Sequence, residues 1–202
     1  MGVLLYGDLM KLVCGVGVND YCEPVKVNVD GSFKKIQAYA AWSNMLSRCY
    51  NEKVQIRQPT YKGVCVCDEW LSFSCFKIWF DISHVDGWQL DKDIIGDGRM
   101  YSPNSCVYIP QWLNTFTNDC GSSRGDWPVG VYFHAASKKL LSRCSHPISG
   151  DRVSIGYFTC PDEAHKAWRH HKLEIAAELK DKMDEIDLRI YQRVVEIIVN
   201  AK

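Results

Sequence analysis

Residues 117–128, Thr-Asn-Asp-Cys-Gly-Ser-Ser-Arg-Gly-Asp-Trp-Pro, constrain this chain more than any other segment. The stretch is small, polar and rich in turn formers. It sustains neither a helical nor a strand period, so it reads as a linker with a domain boundary. A chain of 202 residues with 47% hydrophobic composition can bury a core on each side of it. The expected fold class is α+β. A first domain is expected over residues 1–120, a second over 126–180, and a helical extension over 181–202.

Periodicity fills in the elements. Residues 11–18 suggest a short strand, and residues 19–32 are turn-rich. In residues 37–49, Tyr39, Trp42, Met45, Leu46 and Cys49 recur at helical spacing. Residues 51–63 read as a polar, basic loop around Pro59. Residues 68–82 read as a second helix with a wide aromatic face, suited to a core. Residues 88–114 read strand, turn, strand, helix: Leu90–Ile95, then Gly96-Asp97-Gly98, then Cys106–Ile109, with Pro110 opening a helix through Asn114.

Beyond the linker, residues 130–134, 139–145 and 152–158 alternate as strands, with Gly150-Asp151 as a hairpin turn. Pro161-Asp162-Glu163 then starts a helix with acids in its first turn. Its apolar stripe continues through Ala176, Leu179, Met183, Ile186, Ile190, Val194 and Ile197. One long helix or two would carry that stripe, as a core face or as a homodimer seam.

Net charge is zero, which argues against a non-specific polyanion binder. The charge is unevenly spread. Residues 34–62 carry six Lys/Arg against one acid, and residues 68–97 carry seven acids against Lys77 and Lys92. Residues 126–180 carry eight Lys/Arg against six acids, with five of the six histidines. Such local excess can steer a phosphate backbone.

Asp8 and Lys11 interrupt the apolar start of the chain, and no basic leader precedes it. No run approaches the ~20 apolar residues of a membrane helix. The chain therefore reads as intracellular and cytoplasmic, with ten cysteines kept reduced. Four of Cys49, Cys65, Cys67, Cys75 and Cys106 would suffice for a structural Zn²⁺, although Cys65 and Cys67 are spaced to point apart on a strand. No phosphate-binding loop, dinucleotide fingerprint or nucleophile elbow is present.

Gly130-Val131-Tyr132, Arg143, Arg152-Val153-Ser154-Ile155-Gly156-Tyr157-Phe158, Pro161-Asp162-Glu163-Ala164 and Ala167-Trp168 occur in one order without large gaps. This module resembles the plant ethylene-response-factor (Apetala-two) DNA-binding domain. The resemblance implies a three-stranded antiparallel sheet lying in the major groove, backed by a helix. Carried over position by position, it implies DNA contacts from Tyr132, His134, Arg143, Ser145, Arg152 and Ser154. Lys138 and Lys139 in the hairpin suit phosphates. His134, Ser145 and Ser154 stand where the plant domains carry arginine or tryptophan.

The phrases Arg48-Cys49-Tyr50-Asn51, Val66-Cys67-Asp68-Glu69-Trp70, Leu90-Asp91-Lys92-Asp93-Ile94 and Tyr101-Ser102-Pro103 with Cys106 resemble the HNH (ββα-metal, His-Me finger) nuclease motif. The form is that of phage-encoded homing-endonuclease-like proteins, and in such chains an Apetala-type module often accompanies it. The resemblance implies a divalent metal, Mg²⁺ or a similar cation, held by Asp91, Asp93 and Asn114 to activate a water at the scissile phosphate. Lys92 and Ser105 stand where the motif has His and Asn. The implied catalytic set is Asp91, Lys92, Asp93 and Asn114, with His84 as a further candidate base. The plainer alternative is that Asp91 and Asp93 cap a turn and Asn114 bonds backbone.

These readings point to a double-stranded-DNA-binding protein acting as a metal-dependent endonuclease. The alternatives are a DNA-binding regulator or architectural protein on an HNH-derived scaffold, and a protein–protein module built on the C-terminal helix.

Overall fold

A computed structural model describes residues 11–118 and 126–202. The fold is α+β, with helices and four small sheets. It divides into two compact units, one comprising residues up to 86 together with 90–108, the other residues 87–89 and 109–202. Of the expected linker, residues 119–125 lie outside the described residues. The N-terminal stretch through Met10 does too. The division falls earlier than residue 117, so the helix after Pro110 groups with the second unit.

In the first unit the expected helix at 37–49 forms as α1 (Gln37–Tyr50). The 68–82 stretch is split. Asp68–Leu71 makes one 3-10 turn, and α2, which the sequence reading takes for loop, lies upstream at Glu52–Arg57. Asn51 starts α2 by accepting the Lys53 N–H at 3.0 Å. Helix α3 (Phe73–Ser83) begins afresh at Ser72, whose Oγ accepts the Cys75 N–H at 3.2 Å. Asp20 anchors that cap, accepting from the Ser72 hydroxyl at 2.7 Å and the Ser74 N–H at 2.9 Å.

The aromatic face is core. Trp42, Trp70, Phe73 and Phe76 have no exposed surface. The Trp42 Nε1–H donates to the Trp70 carbonyl at 2.7 Å, whereas the Trp70 Nε1–H is buried without a hydrogen-bond partner among the described residues.

Three local expectations are corrected. Residues 11–18 are not a strand: Cys14 and Gly15 take left-handed backbone in a tight turn, and Val13 bridges Gly17. Gly17 packs so close to α1 that a Cβ would meet Leu46 Cδ1 at 2.3 Å. Residues 19–32 contain a strand where only turns were expected. β1 (Lys26–Val29) pairs antiparallel with β2 (Ser32–Lys35) across Asp30-Gly31, both at positive φ, as a two-residue primed turn requires. The expected strand Leu90–Ile95 ends early.

The remaining strands are short. They are β3 (Cys65–Val66), β4 (Gln89–Asp91), β5 (Met100–Tyr101) and β6 (Val107–Ile109). β3 pairs with β5 in parallel, and β4 pairs with β6. Helix α4 (Gln111–Thr117) follows with Pro110 as its N-cap residue.

The second unit carries the expected three strands, β7 (Val131–His134), β8 (Lys139–Ser145) and β9 (Arg152–Phe158), in antiparallel order β7-β8-β9. Helix α5 (Pro161–Glu178) covers one face, burying Val131, Leu140 and Ala164 together with Phe158. Trp168 of α5 lies flat against Gly130, where an added Cβ would sit 2.0 Å from Trp168 Cδ1. The chain continues into α6 (Lys180–Asp184) and α7 (Ile190–Asn200), and α7 packs against α5.

The apolar stripe is thereby consumed within the unit. Ala176, Leu179, Met183, Ile190 and Val194 are buried and Ile186 and Ile197 half-buried, so the stripe serves as a core face of this unit. Two helices folding on each other hide what one continuous helix would have left open. His165 completes the closure. Its Nδ1–H donates to the Val129 carbonyl at 2.9 Å, and its Nε2 accepts from Arg169 at 3.0 Å. Val129 N–H in turn donates to the Lys202 carbonyl.

Gly130 has φ +79° as well as the tryptophan contact. Gly130→Ala should therefore cost about 2–4 kcal/mol, from overpacking plus left-handed strain. Urea denaturation followed by tryptophan fluorescence measures this, and an unchanged midpoint would contradict the packing.

Candidate functional site

Helix α5 leaves the other face of the β7-β8-β9 sheet open. Register decides what lies there. Tyr132 pairs with Leu141, His134 with Lys139, Arg143 with Ser154 and Ser145 with Arg152. Leu140 and Cys144 on β8 are buried on the helix side, so by alternation Lys139, Leu141, Arg143 and Ser145 face away from α5. Their cross-strand partners face away with them. Tyr132, His134, Lys139, Arg143, Ser145, Arg152 and Ser154 thus share one surface. Lys138 sits at its edge in the β7–β8 turn, at φ 54°.

A β-bulge between Ser142 and Arg143 adds a residue the sequence reading did not identify as a site residue. Two steps on β8 oppose Ser154 and Gly156, leaving Ile155 as the extra residue. Strict alternation from Arg152 and Ser154 would put Tyr157 against the helix. The bulge instead brings it opposite Leu141, and half of Tyr157 is exposed. Its ring packs edge-on against His134 at 5.1 Å. Leu141 is buried between Tyr132 and Tyr157, giving the open face an apolar centre flanked by two phenols.

The side chains on this face are held for donation. The Arg143 guanidinium stacks over the Tyr132 ring at 4.8 Å. His134 Nδ1 accepts the Ser137 N–H at 3.3 Å, which leaves Nε2 to carry the outward proton. Lys138, Lys139, Arg143 and Arg152 have no ion-pair partner among the described residues, and no carboxylate sits among the strand positions of this face. A cleft of about 500 Å³ along one side is lined by Tyr132, Arg143, Ser145, His146, Arg152 and Lys172. His146 Nδ1 accepts the Ser149 N–H at 3.1 Å, while Nε2 lies 3.5 Å from Glu178. The surface is a cationic, donor-rich sheet face with exposed aromatic rings.

The Asp91 loop is built differently. Asp91 Oδ1 accepts the N–H groups of Asp93 at 2.8 Å and Ile94 at 2.7 Å. That bond pattern ends β4 at Asp91 and is why the expected longer strand does not form. Burial pushes the Asp91 carboxyl above the ordinary aspartate range, outweighing the two N–H bonds. Lys92 is only 6% exposed. Its Nζ donates to Asp93 Oδ1 at 2.7 Å and lies 5.5 and 5.7 Å from the ring centres of Tyr61 and Tyr101. Arg48 also lies over Tyr61, at 5.5 Å. Gly98 leaves room for this pair, since a Cβ there would meet Asp93 Oδ1 at 2.6 Å.

Asn114 lies in the second unit, where its amide donates to Gln89. Gln89 in turn donates to Gln111. Ser105 is spent on its own turn, donating to the Met100 carbonyl at 2.7 Å. His84 stacks on Phe80 at 4.3 Å with Nε2 3.2 Å from Asp86. Its Nδ1 is buried, so the nitrogen that would serve as a base has no access to water.

Among the described residues no three His, Cys, Asp or Glu side chains gather at metal-binding distance. Cys49 and Cys106 are core groups whose thiols burial pushes up to about 12, and partial burial raises Cys67 as well. Likewise, no helix among the described residues is long and apolar enough to cross a membrane.

Asp91→Asn keeps an oxygen for the two N–H bonds and removes the buried charge, whereas Asp91→Ala strands both donors and should cost about 1–3 kcal/mol. Because its folded-state pKa is raised, Asp91's contribution is complete below the ordinary aspartate range. It is lost as pH rises through the elevated value. Urea midpoints against pH should therefore fall in wild type relative to Asp91→Asn on going from acid to neutral pH. Parallel curves would contradict the buried-carboxyl assignment.

Comparison with protein-family models, with curated proteins and with solved structures gives no match to this chain.

Proposed function

We propose that this chain is a double-stranded-DNA-binding protein of the HNH homing-endonuclease type, gripping DNA with the open face of the β7-β8-β9 sheet. The observation that carries the reading is the register. It collects Tyr132, His134, Lys139, Arg143, Ser145, Arg152 and Ser154 on the one sheet face that α5 leaves uncovered. Arginine suits guanine edges and lysine suits phosphates, while a sheet face is broad enough to follow a groove. Lys138 at the turn extends the cationic rim, and Tyr157 joins the candidates.

A second reading adds hydrolysis of the bound DNA. It is favoured by the strand–strand–helix order of β4, β6 and α4, and by two neighbouring carboxylates, Asp91 and Asp93. Each uses only Oδ1 in the bonds above, leaving its second oxygen for a hard cation. Mg²⁺ would be held by Asp91 and Asp93, the two motif carboxylates of the first unit. The ion would supply an activated water and charge neutralisation at the phosphate. Lys92 lies beside them, its Nζ bonded to Asp93. Without that chemistry the chain is a DNA-binding regulator on the same scaffold.

Binding to duplex DNA, measured by fluorescence anisotropy across a salt series, tests the first reading. Wild type should weaken steeply with salt, and Arg143→Ala and Arg152→Ala should each flatten the log–log slope by about 0.9 if the residue contacts phosphate. Absence of binding, or binding indifferent to salt and to both substitutions, would overturn it. Cleavage with Mg²⁺ that is abolished by EDTA and by Asp91→Asn supports hydrolysis, and intact DNA under all conditions leaves the regulator.

A further inference from the structure

The β1–β2 hairpin of the first unit is exposed along its whole length, on both faces, from Lys26 through Lys35. Such a ribbon buries nothing to offset the entropy of ordering it, and an isolated two-stranded hairpin is marginal in water. Its ladder also opposes like charges: Lys26 lies directly across from Lys35, with Lys34 next in line opposite Val27. Like charges directly opposite one another destabilise a strand pair. Lys35 is partly diverted, bonding Ser43 Oγ at 2.9 Å. None of Lys26, Lys34 and Lys35 has an ion-pair partner among the described residues. Near the tip, Phe33 is 75% exposed and sits opposite Asn28. Asn28 Oδ1 accepts the Gly31 N–H, leaving its amide N–H groups outward.

We propose that this hairpin is a second DNA-binding element, a β-ribbon that enters the major groove of double-stranded DNA; the inference rests on the DNA-binding reading above. The major groove, about 12 Å wide, admits a two-stranded ribbon, whose strands lie about 4.8 Å apart. Phosphates on the groove walls relieve the repulsion between the lysines. Phe33 supplies an apolar contact for a thymine methyl, and the Asn28 amide a donor toward base edges. A partner that neutralises three lysines and accepts a narrow exposed ribbon with an aromatic tip has the chemistry of a duplex. A hydrophobic protein groove would leave Lys26 and Lys34 uncompensated.

The full chain is tested on duplex and single-stranded DNA, with circular dichroism confirming that each variant is folded. Lys26→Ala with Lys34→Ala should flatten the log–log salt slope on duplex DNA by about 0.9 for each lysine removed. Phe33→Ser should weaken duplex affinity several-fold with the slope unchanged. Suppose wild type binds duplex DNA and Arg143→Ala weakens it, yet all hairpin variants bind like wild type. The hairpin inference then falls and the sheet reading stands. Weakening that is equal on single-stranded DNA overturns the groove placement. If wild type does not bind duplex DNA at all, the sheet reading falls and takes this inference with it.

Discussion

The second unit depends on one close approach, the Trp168 ring lying against Gly130 where any side chain would collide. That contact sets α5 against the β7-β8-β9 sheet and fixes which face the helix consumes. Val131, Leu140, Ala164 and Phe158 close the apolar interior beside it. The cationic residues of the strands are then driven to the other side by the two-residue period of a strand, while Ser142 is buried on the helix side. His165, bonded to the Val129 carbonyl, and Arg169, donating to the Ala201 carbonyl, tie the start of the sheet to the end of α7 and complete the enclosure. A rigid backing of this kind is what a binding face needs, because side chains aimed from a fixed sheet lose little further entropy on contact.

The first unit solves a different problem. Its aromatic core is knit together by the Trp42 donor to the Trp70 carbonyl and by the edge-to-face rings around Phe73 and Phe76. Charge is concentrated instead at the Asp91 loop, where the buried Lys92 bonds Asp93 and lies near two tyrosine rings. A carboxylate such as Asp91, which holds two backbone N–H groups, cannot be truncated without loosening the loop. The structural and the chemical roles of these residues are therefore separated by isosteric changes such as Asp91→Asn, not by alanine.

Much of the secondary structure was legible. Helix α1, the three strands of the second unit and the proline start of α5 follow from spacing and capping chemistry that act within a few residues. The β1–β2 hairpin was legible too, through Asp30-Gly31 flanked by alternating residues, but its turn signal was absorbed into a turn-rich reading. Asn51, Ser72 and Asp91 ended or began elements by bonding backbone N–H groups, which shortened the strand at Leu90 and split the aromatic helix.

The sequence by itself determined the α+β composition, the alternation that separates Arg143 and Arg152 from the apolar positions, and the aromatic core. Each rests on local periodicity. Only tertiary structure decided that the stripe from Ala176 to Val194 is interior, because that depends on α7 folding back on α5. It also decided that Tyr157 joins the open face, since a single bulged residue at Ile155 inverts the strand beyond it. Likewise, it decided the surroundings of Lys92, whose partners Tyr61 and Tyr101 come from distant parts of the chain and meet only when β3 pairs with β5.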